Sequence, residues 1–461
     1  MKPFQRLYYL GMVLALFLFV AGELIWLPDP LRFGNGVYWI DALDLLVYVL
    51  ALIPLIWAIT AGFILVRLRR IRVKRRFGWA QLRSGAVIIA GVTAIIVIIT
   101  IPKKLEFSVS ALVLTWLLVF VDLFFIERNL RKIPVQSISA FVVTICLLIV
   151  LFFPTRYLVT YPGMTLNMSR YAQANGGSPH GEISGVLVFD RPAFPIDWVY
   201  AKLFPHYTFE VNNLGISIGE YNQQVRVMKS DANAAGSAIA LQKLGRGKGI
   251  IPKGVLVTGL APNSPVEGIL RQGDVIEEVS GQAIKTVQEL TDRLAATSPG
   301  DQVEVKVLRN SNRETLSAKT RANPDNPKRA AFGIDVSNEL QYDIPETINY
   351  HNYLLHEGGP SHGAMLALTL IDQFTPWGIL HGNKVAGTGT IEPDGSIGPV
   401  GGLEQKAYTV SRTDADVFFV PVKNEKDARK GAPGLQIVPV RTLDDILSWL
   451  RENPKQPGIT H

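Results

Sequence analysis

Cysteine is all but missing from the 461-residue chain: Cys146 is the sole one, and it falls inside an apolar run. No intrachain disulfide can form, so any exported part must be stable through its core alone. A phosphate loop is also missing. The pattern G-x-x-x-x-G-K-[ST] occurs nowhere, and the glycines and lysine of Gly245–Gly249 do not match it, which excludes ATP hydrolysis of that kind. Helical H-E-x-x-H is lacking as well: after His356-Glu357 come Gly-Gly-Pro-Ser, so His362 is six residues on and Pro360 breaks any helix between them. That spacing cannot put two histidines on one helix face, which excludes a zinc peptidase of that type. No cofactor or metal is expected. Charged residues make up 18% of the chain and are rare before residue 155.

What fills that first third is apolar. Five runs, Leu7–Leu27, Leu43–Val66, Gly85–Ile101, Val109–Ile126 and Val135–Phe153, each approach the roughly 20 residues a helix needs to cross about 30 Å of hydrocarbon. Buried core helices would be the alternative, but five in succession would leave a soluble fold without a polar surface. The runs predict an α-helical transmembrane bundle. Glu23, Pro54 and Asp122 interrupt them; both acids lie close enough to a span end to reach headgroups, and that is the expected role. The first run lacks a small-residue cleavage site and more spans follow, so it reads as a span and not as a cleaved leader.

Basic residues orient the bundle. Arg67–Arg76 holds seven Lys/Arg in ten positions, Lys2 and Arg6 precede the first span, and Arg128, Arg131 and Lys132 precede the fifth. Five spans place all three clusters on one side, which the positive-inside rule makes cytoplasmic; Lys103 and Lys104 fall on the other. Everything after about Phe153 is then extracytoplasmic, in a multi-pass plasma-membrane protein. The net charge of +7 is spent on topology and on anionic inner-leaflet lipid, so membrane lipid is an expected partner and nucleic acid is not.

Arg156 to about Ala201 alternates short apolar runs with Gly, Ser, Asn and Pro, which predicts strands and turns; Gly219–Leu244 reads as a helix. From Gly254 the pattern predicts strands at Gly254–Thr258 and Gly273–Val279, a helix at Thr286–Ala296 and a hairpin of Val303–Leu308 with Thr315–Lys319. Within it, Ala261-Pro-Asn-Ser-Pro-Val-Glu-Gly followed by Leu270-Arg-Gln-Gly-Asp-Val-Ile resembles bacterial PDZ domains. The resemblance implies binding of extended peptides by strand addition, with a groove near Ile250–Leu256.

The chemistry-bearing stretch is Glu357-Gly-Gly-Pro-Ser-His-Gly-Ala364, followed by an apolar helix through Ile371. A serine among glycines at a helix start has backbone N–H groups available to an oxyanion, and small neighbours let a peptide approach. By itself such a run marks any glycine-rich helix start. Gly387-Thr-Gly-Thr-Ile-Glu-Pro-Asp-Gly-Ser-Ile-Gly-Pro-Val-Gly-Gly-Leu-Glu-Gln-Lys406 is the second half, and the two together resemble the Lon peptidase domain over about residues 330–450, Ala415–Pro421 and Gln436–Thr442 included. The resemblance implies Ser361 as nucleophile, Lys406 as general base and Thr388 as the hydroxyl supporting the lysine. With the PDZ-like segment and the spans, the whole resembles the PDZ–Lon membrane serine peptidases of Gram-positive bacteria. A Ser/Lys pair works only with a neutral amine. Lysine's ordinary pKa of about 10.4 must fall near 7 to 8, so burial must disfavour the charged form by about 4 kcal/mol.

Two positions depart from the Lon pattern: His362 stands where alanine is usual, and Gly358 where many Lon enzymes carry an acid. His362 is read as capping the helix start; Glu357 and His356 receive no role. The expected architecture is multi-domain: an N-terminal α-helical transmembrane region at 1–155, a connecting region at 156–244, a PDZ-like β-rich module at 245–322 and an α+β Lon-type proteolytic domain at 328–453. Polypeptides are the expected substrates. A non-catalytic PDZ scaffold with an inert Lon-type fold is the competing reading, and the sequence leaves homo-oligomerisation open.

Overall fold

The computed structural model of the chain describes residues 2–34, 36–71, 78–131, 133–213, 215–355 and 358–455. Lys132 and the greater part of the Arg67–Arg76 cluster's second half (residues 72–76) lie outside the described residues. Among the described ones, five helices are long and apolar enough to cross a membrane: Phe4–Glu23, Trp39–Arg69, Trp79–Thr100, Leu105–Leu130 and Val135–Phe152. Their outward faces stay apolar, with Leu10, Val13, Phe17, Ile89, Ile96, Val142 and Ile149 all exposed. Water would not tolerate so continuous an apolar surface, whereas lipid does. Small residues bring the helices close: a Cβ on Gly91 would stand 3.0 Å from the Pro54 carbonyl oxygen and from Ala58 Cβ. Pro54 itself sits in the first turn of Leu52–Ile71, directly after the 3-10 turn Val47–Ala51.

Asp122 does not turn outward as expected. Asp122 is 1% exposed, inside the bundle, where it accepts hydrogen bonds from Tyr8 Oη (3.1 Å), Arg83 Nε (3.2 Å) and Ser84 Oγ (3.4 Å). Three helices therefore meet at one carboxylate, and its cost of burial is offset by donors from two of them. Glu23 pairs with Arg191 of the strand Ile183–Pro192.

The chain folds into two compact units. The first comprises Met1–Ala232, Ile348–Thr390 and Ser396–His461, and the second Asn233–Thr347 with Ile391–Gly395. Within the first, a six-stranded sheet runs in the order Ile437–Val440, Val417–Pro421, Val385–Gly387, Ile183–Pro192, Tyr157–Asn167, Thr208–Val211. The first four strands are parallel and the last two pairings antiparallel. The stretch read from sequence as a connecting region thus supplies three of the six strands. One of them, Ile183–Pro192, has a partner some 200 residues away in sequence (Ile183 opposite Val385), a pairing no local pattern announces.

The bundle and this sheet share one unit, and the segments between the apolar helices dock on the sheet side. Asp29 accepts from Thr165 Oγ1 (3.0 Å), Tyr38 Oη bonds to Glu182 and Ser184, and buried Trp26 packs edge-on to Phe204. Lys103, which departs from the positive-inside count, donates to the Asn352 carbonyl (3.0 Å). Its position is accounted for by that contact.

The second unit is built on a sheet ordered Asn312–Lys319, Gln302–Arg309, Val275–Val279, Gly249–Leu260, Ile334–Asp343. Its core holds Val255, Val257, Ile276, Leu290, Val305 and Phe332. The helix Val287–Ala295 starts at Thr286, whose hydroxyl accepts from Glu289 N (3.2 Å). The stretch expected to form the groove, Ile250–Leu256, is itself paired within the sheet. Gly249–Leu260 is paired along its whole length with Ile334–Asp343 and, at Val255–Leu256, with Val275–Val279 on the other side. The two end strands are Asn312–Lys319 and Ile334–Asp343, and the latter has helix Val287–Ala295 beside it: Val287 N donates to Asn338 Oδ1 at 2.7 Å. Sequence could not show this, because the edge strand follows the rest of the module and was counted with the next domain.

Amide hydrogen exchange checks the assignment. In the free protein, amides of 255–257, where the strand has a neighbour on each side, should exchange slowly, while every second amide of 334–343 exchanges fast; a polypeptide adding to the sheet should slow those fast amides. Protection gained in 249–260 instead would restore the original groove.

Candidate active site

Ser361 lies immediately before His362, the N-cap of the helix Gly363–Phe374. Eleven of that helix's twelve residues are buried, so it forms a rigid post through the domain with the partly exposed serine at its tip. Lys406 projects from Leu403–Ser411, which begins after Gly402 in a left-handed conformation (φ 68°). A side chain at Gly402 would be strained by that φ and would stand 2.9 Å from Val188 Cγ2. Thr388 follows the strand Val385–Gly387 and is 1% exposed.

The fold brings these three residues together. Lys406 is 2% exposed, and its Nζ donates to Thr388 Oγ1 at 3.1 Å. Thr388 Oγ1 in turn donates to the backbone carbonyl of Ser361 at 3.0 Å, and Gly389 N donates to the same carbonyl at 2.8 Å. Ala364 N closes the bracket by donating to Gly389 O at 3.1 Å. Gly389 allows this approach, because a Cβ there would fall 2.4 Å from Ile397 Cγ2. No hydrogen bond joins Ser361 Oγ directly to Lys406 Nζ in this free state; Thr388 is the link.

Burial lowers the Lys406 amine from its ordinary value to about 7. His362 moves further: burial first, with the Lys229 and Lys406 charges adding to it, lowers the imidazole to about 3. His362 is therefore neutral at neutral pH and a weak base. It occupies the N-cap position, yet its side chain caps no helical N–H, contrary to expectation; Nδ1–H donates to Gly359 O (3.2 Å), and the ring meets Tyr171 edge to face at 5.3 Å.

Sequence reasoning missed the role of Val225. Gly359 N donates to Val225 O (3.2 Å), and a Cβ on Gly358 would lie 2.4 Å from Val225 Cγ1 and 2.5 Å from its carbonyl oxygen. The helix Ile218–Lys243 thus fills the space that an acidic side chain at 358 would need, which gives the departure from the Lon pattern a steric reason. His356 and Glu357 lie outside the described residues.

Residues 334–451 match the family model of the Lon protease (S16) C-terminal proteolytic domain, and residues 213–320 that of the PDZ domain. The chain carries a Lon-type proteolytic domain. Among curated relatives, Lon protease 1 of Myxococcus xanthus is 32% identical over 133 residues, covering 28% of this chain and 16% of its own. Lon protease of Azospirillum brasilense is 36% identical over 128 residues (26% and 15%), and that of Chloroflexus aggregans 26% over 223 residues (43% and 24%). Each match spans a quarter or less of the relative's length. The PDZ domain of an SdrC-like protein from Listeria innocua is 32% identical over 18% of this chain and 92% of its own, with a TM-score of 0.17. The protein is thus multi-domain: N-terminal apolar helices, a PDZ domain, then the Lon-type domain, whose family is one of proteases.

The lysine's state can be measured directly. With ¹³C-labelled lysine side chains in a Ser361→Ala background, one resonance, absent from Ser361→Ala/Lys406→Met, should titrate with a midpoint of about 7. A Lys406 midpoint near the ordinary value of about 10.4 would show that the site does not hold a neutral amine.

Proposed function

We propose that the protein is a membrane-anchored, ATP-independent serine endopeptidase in which Ser361 is the nucleophile, Lys406 the general base and Thr388 the residue that orients the amine. One observation carries the reading: a buried lysine, lowered to about 7, donates to a hydroxyl that itself holds the carbonyl of Ser361. A neutral amine has two N–H groups and one lone pair. Giving one N–H to Thr388 fixes the rotamer and leaves the lone pair for the Ser361 hydroxyl proton. As Ser361 Oγ attacks the scissile carbonyl carbon, that proton passes to Nζ and the carbonyl oxygen becomes an oxyanion. The N–H of Ser361, to which no acceptor is bonded among the described residues, lies at the positive end of the helix Gly363–Phe374 and suits that charge. Collapse expels the amine product with the proton from Nζ, leaving an acyl-enzyme. Water then repeats the cycle, giving its proton to Nζ and releasing the acid.

Polypeptides are the substrates in this reading. The PDZ domain selects or presents them along the open edge of Ile334–Asp343, and the five apolar helices hold the enzyme in the plasma membrane with both domains extracytoplasmic. As functional parts, the anchor takes in residues 1–155 and the PDZ domain 245–322 with the edge strand; the proteolytic domain adds the strands of 157–211 to 348–453.

Peptide hydrolysis by the full chain in lipid nanodiscs tests the dyad. Ser361→Ala and Lys406→Arg should both lose about 10² to 10⁴-fold in kcat, since guanidinium does not deprotonate. Thr388→Val, which removes two hydrogen bonds but keeps the base, should lose about tenfold. The rate of the intact enzyme should rise with pH through a midpoint of about 7, because only the deprotonated amine accepts the serine proton. Near-normal turnover by folded Lys406→Arg would refute the assignment.

A further inference from the structure

The segment that leads into Ser361 is gripped from outside the proteolytic sheet. Its strand Ile348–Tyr350 pairs with Ala172–Ala174, and then His351, Tyr353 and Leu354 meet the helix Trp39–Leu46. Tyr353 Oη donates to Asp41 Oδ1 at 2.9 Å, and the ring is 3% exposed. Leu354 N donates to Asp44 Oδ1 at 3.0 Å, while His351 Nε2 lies 3.1 Å from Asp44 Oδ2. Asp41 is itself fixed, accepting from the Tyr38 backbone N–H (2.6 Å) and pairing with Arg170 Nε (3.1 Å). From a second inter-helix segment, Lys103 Nζ donates to Asn352 O.

The grip reaches the nucleophile through Tyr171. That residue follows Arg170, is fully buried, accepts from His351 N (2.7 Å) and packs its ring against His362, the neighbour of Ser361. The helix bearing the two aspartates leads through a 3-10 turn, Val47–Ala51, into the second apolar helix, Leu52–Ile71. At about 1.5 Å per residue, the 31 residues of Trp39–Arg69 span about 46 Å, well beyond about 30 Å of hydrocarbon, so its first turns extend past the hydrocarbon boundary.

We infer that Asp41 and Asp44 are positioning residues for the peptidase reaction: the apolar-helix region, beyond anchoring the enzyme, holds residues 351–354 so that Ser361 meets Lys406 and substrate in register. This rests on the reading of Ser361 as nucleophile. An ester of carboxylate and segment is not involved; the effect is orientation, for which displacements of about 1 Å cost up to about a hundredfold in rate. It also gives the helices after the first a task that tethering alone does not require.

The test uses the full chain in lipid nanodiscs, with hydrolysis of a short peptide as readout. Asp44→Ala and Tyr353→Phe should each lower kcat about tenfold, with KM within about twofold of wild type and the pH midpoint near 7 unmoved, because the base is untouched. Asp44→Asn, whose amide oxygen still accepts from Leu354 N–H, should restore most of kcat. Tyr38→Phe is the matched control: it too removes one buried phenol oxygen between the same two parts, at Glu182 and Ser184, away from residues 351–354. It should stay near wild type. Should Asp44→Ala fail to fold, Tyr353→Phe decides alone. Wild-type kcat in Tyr353→Phe, or an equal loss in Tyr38→Phe, would overturn the inference. Activity retained by Ser361→Ala would instead sink the reading of the nucleophile on which it stands.

Discussion

Burial of one amine governs the catalytic half of this molecule. Lys406 has almost no solvent and a single hydroxyl partner, Thr388, whose other hydrogen bond ends on the carbonyl of Ser361. A charged lysine would need a carboxylate or solvent beside it; among the described residues no carboxylate lies there, and burial makes the neutral form the favoured one. The sign of the linkage follows. Because the folded value of about 7 lies below the ordinary one of about 10.5, folding is opposed by the amine at pH below about 10.5. The penalty grows as pH falls and levels off below about 7, at on the order of 5 kcal/mol. Stability is given up at a place where reactivity is gained.

The rest of the domain supplies rigidity around that lysine. The helix behind Ser361 is buried on nearly every side, Gly389 and Ala364 clasp the turn that carries Ser361, and Gly402 admits the bend that aims the lysine helix inward. On the other flank, Val225 fills the space beside Gly358, and the inter-helix aspartates hold residues 351–354. Anchor and catalytic sheet are accordingly one packed unit.

Local patterns carried much of this. The five apolar helices follow from run length, the helix Ile218–Lys243 from composition and the hairpin Gln302–Arg309 with Asn312–Lys319 from its strand pattern, while Ser361, Thr388 and Lys406 came from the resemblance of two motifs to the Lon peptidase domain, and only the fold displays their meeting. What escaped was nonlocal. The strand Ile183–Pro192 pairs with Val385–Gly387 across the intervening PDZ domain and carries Tyr157–Asn167 on its other side. The edge strand 334–343 belongs by hydrogen bonding to the PDZ sheet although the proteolytic family model also spans it. Asp122 looked like a residue near a span end because sequence gives its depth but not its neighbours on two other helices. His362 has a capping residue's position without its bond, since Gly359 takes its ring proton.

The central claim is that a neutral Lys406 activates Ser361, and covalent trapping addresses it most directly. The intact protein would be incubated with a fluorophosphonate from pH 5 to 9, and the modified residue and its rate of labelling read by mass spectrometry. The account predicts label on Ser361, a rate rising through a midpoint of about 7, and none above background in Lys406→Arg. Labelling of Ser361 in Lys406→Arg at the rate of the intact protein, with the same pH profile, would contradict it.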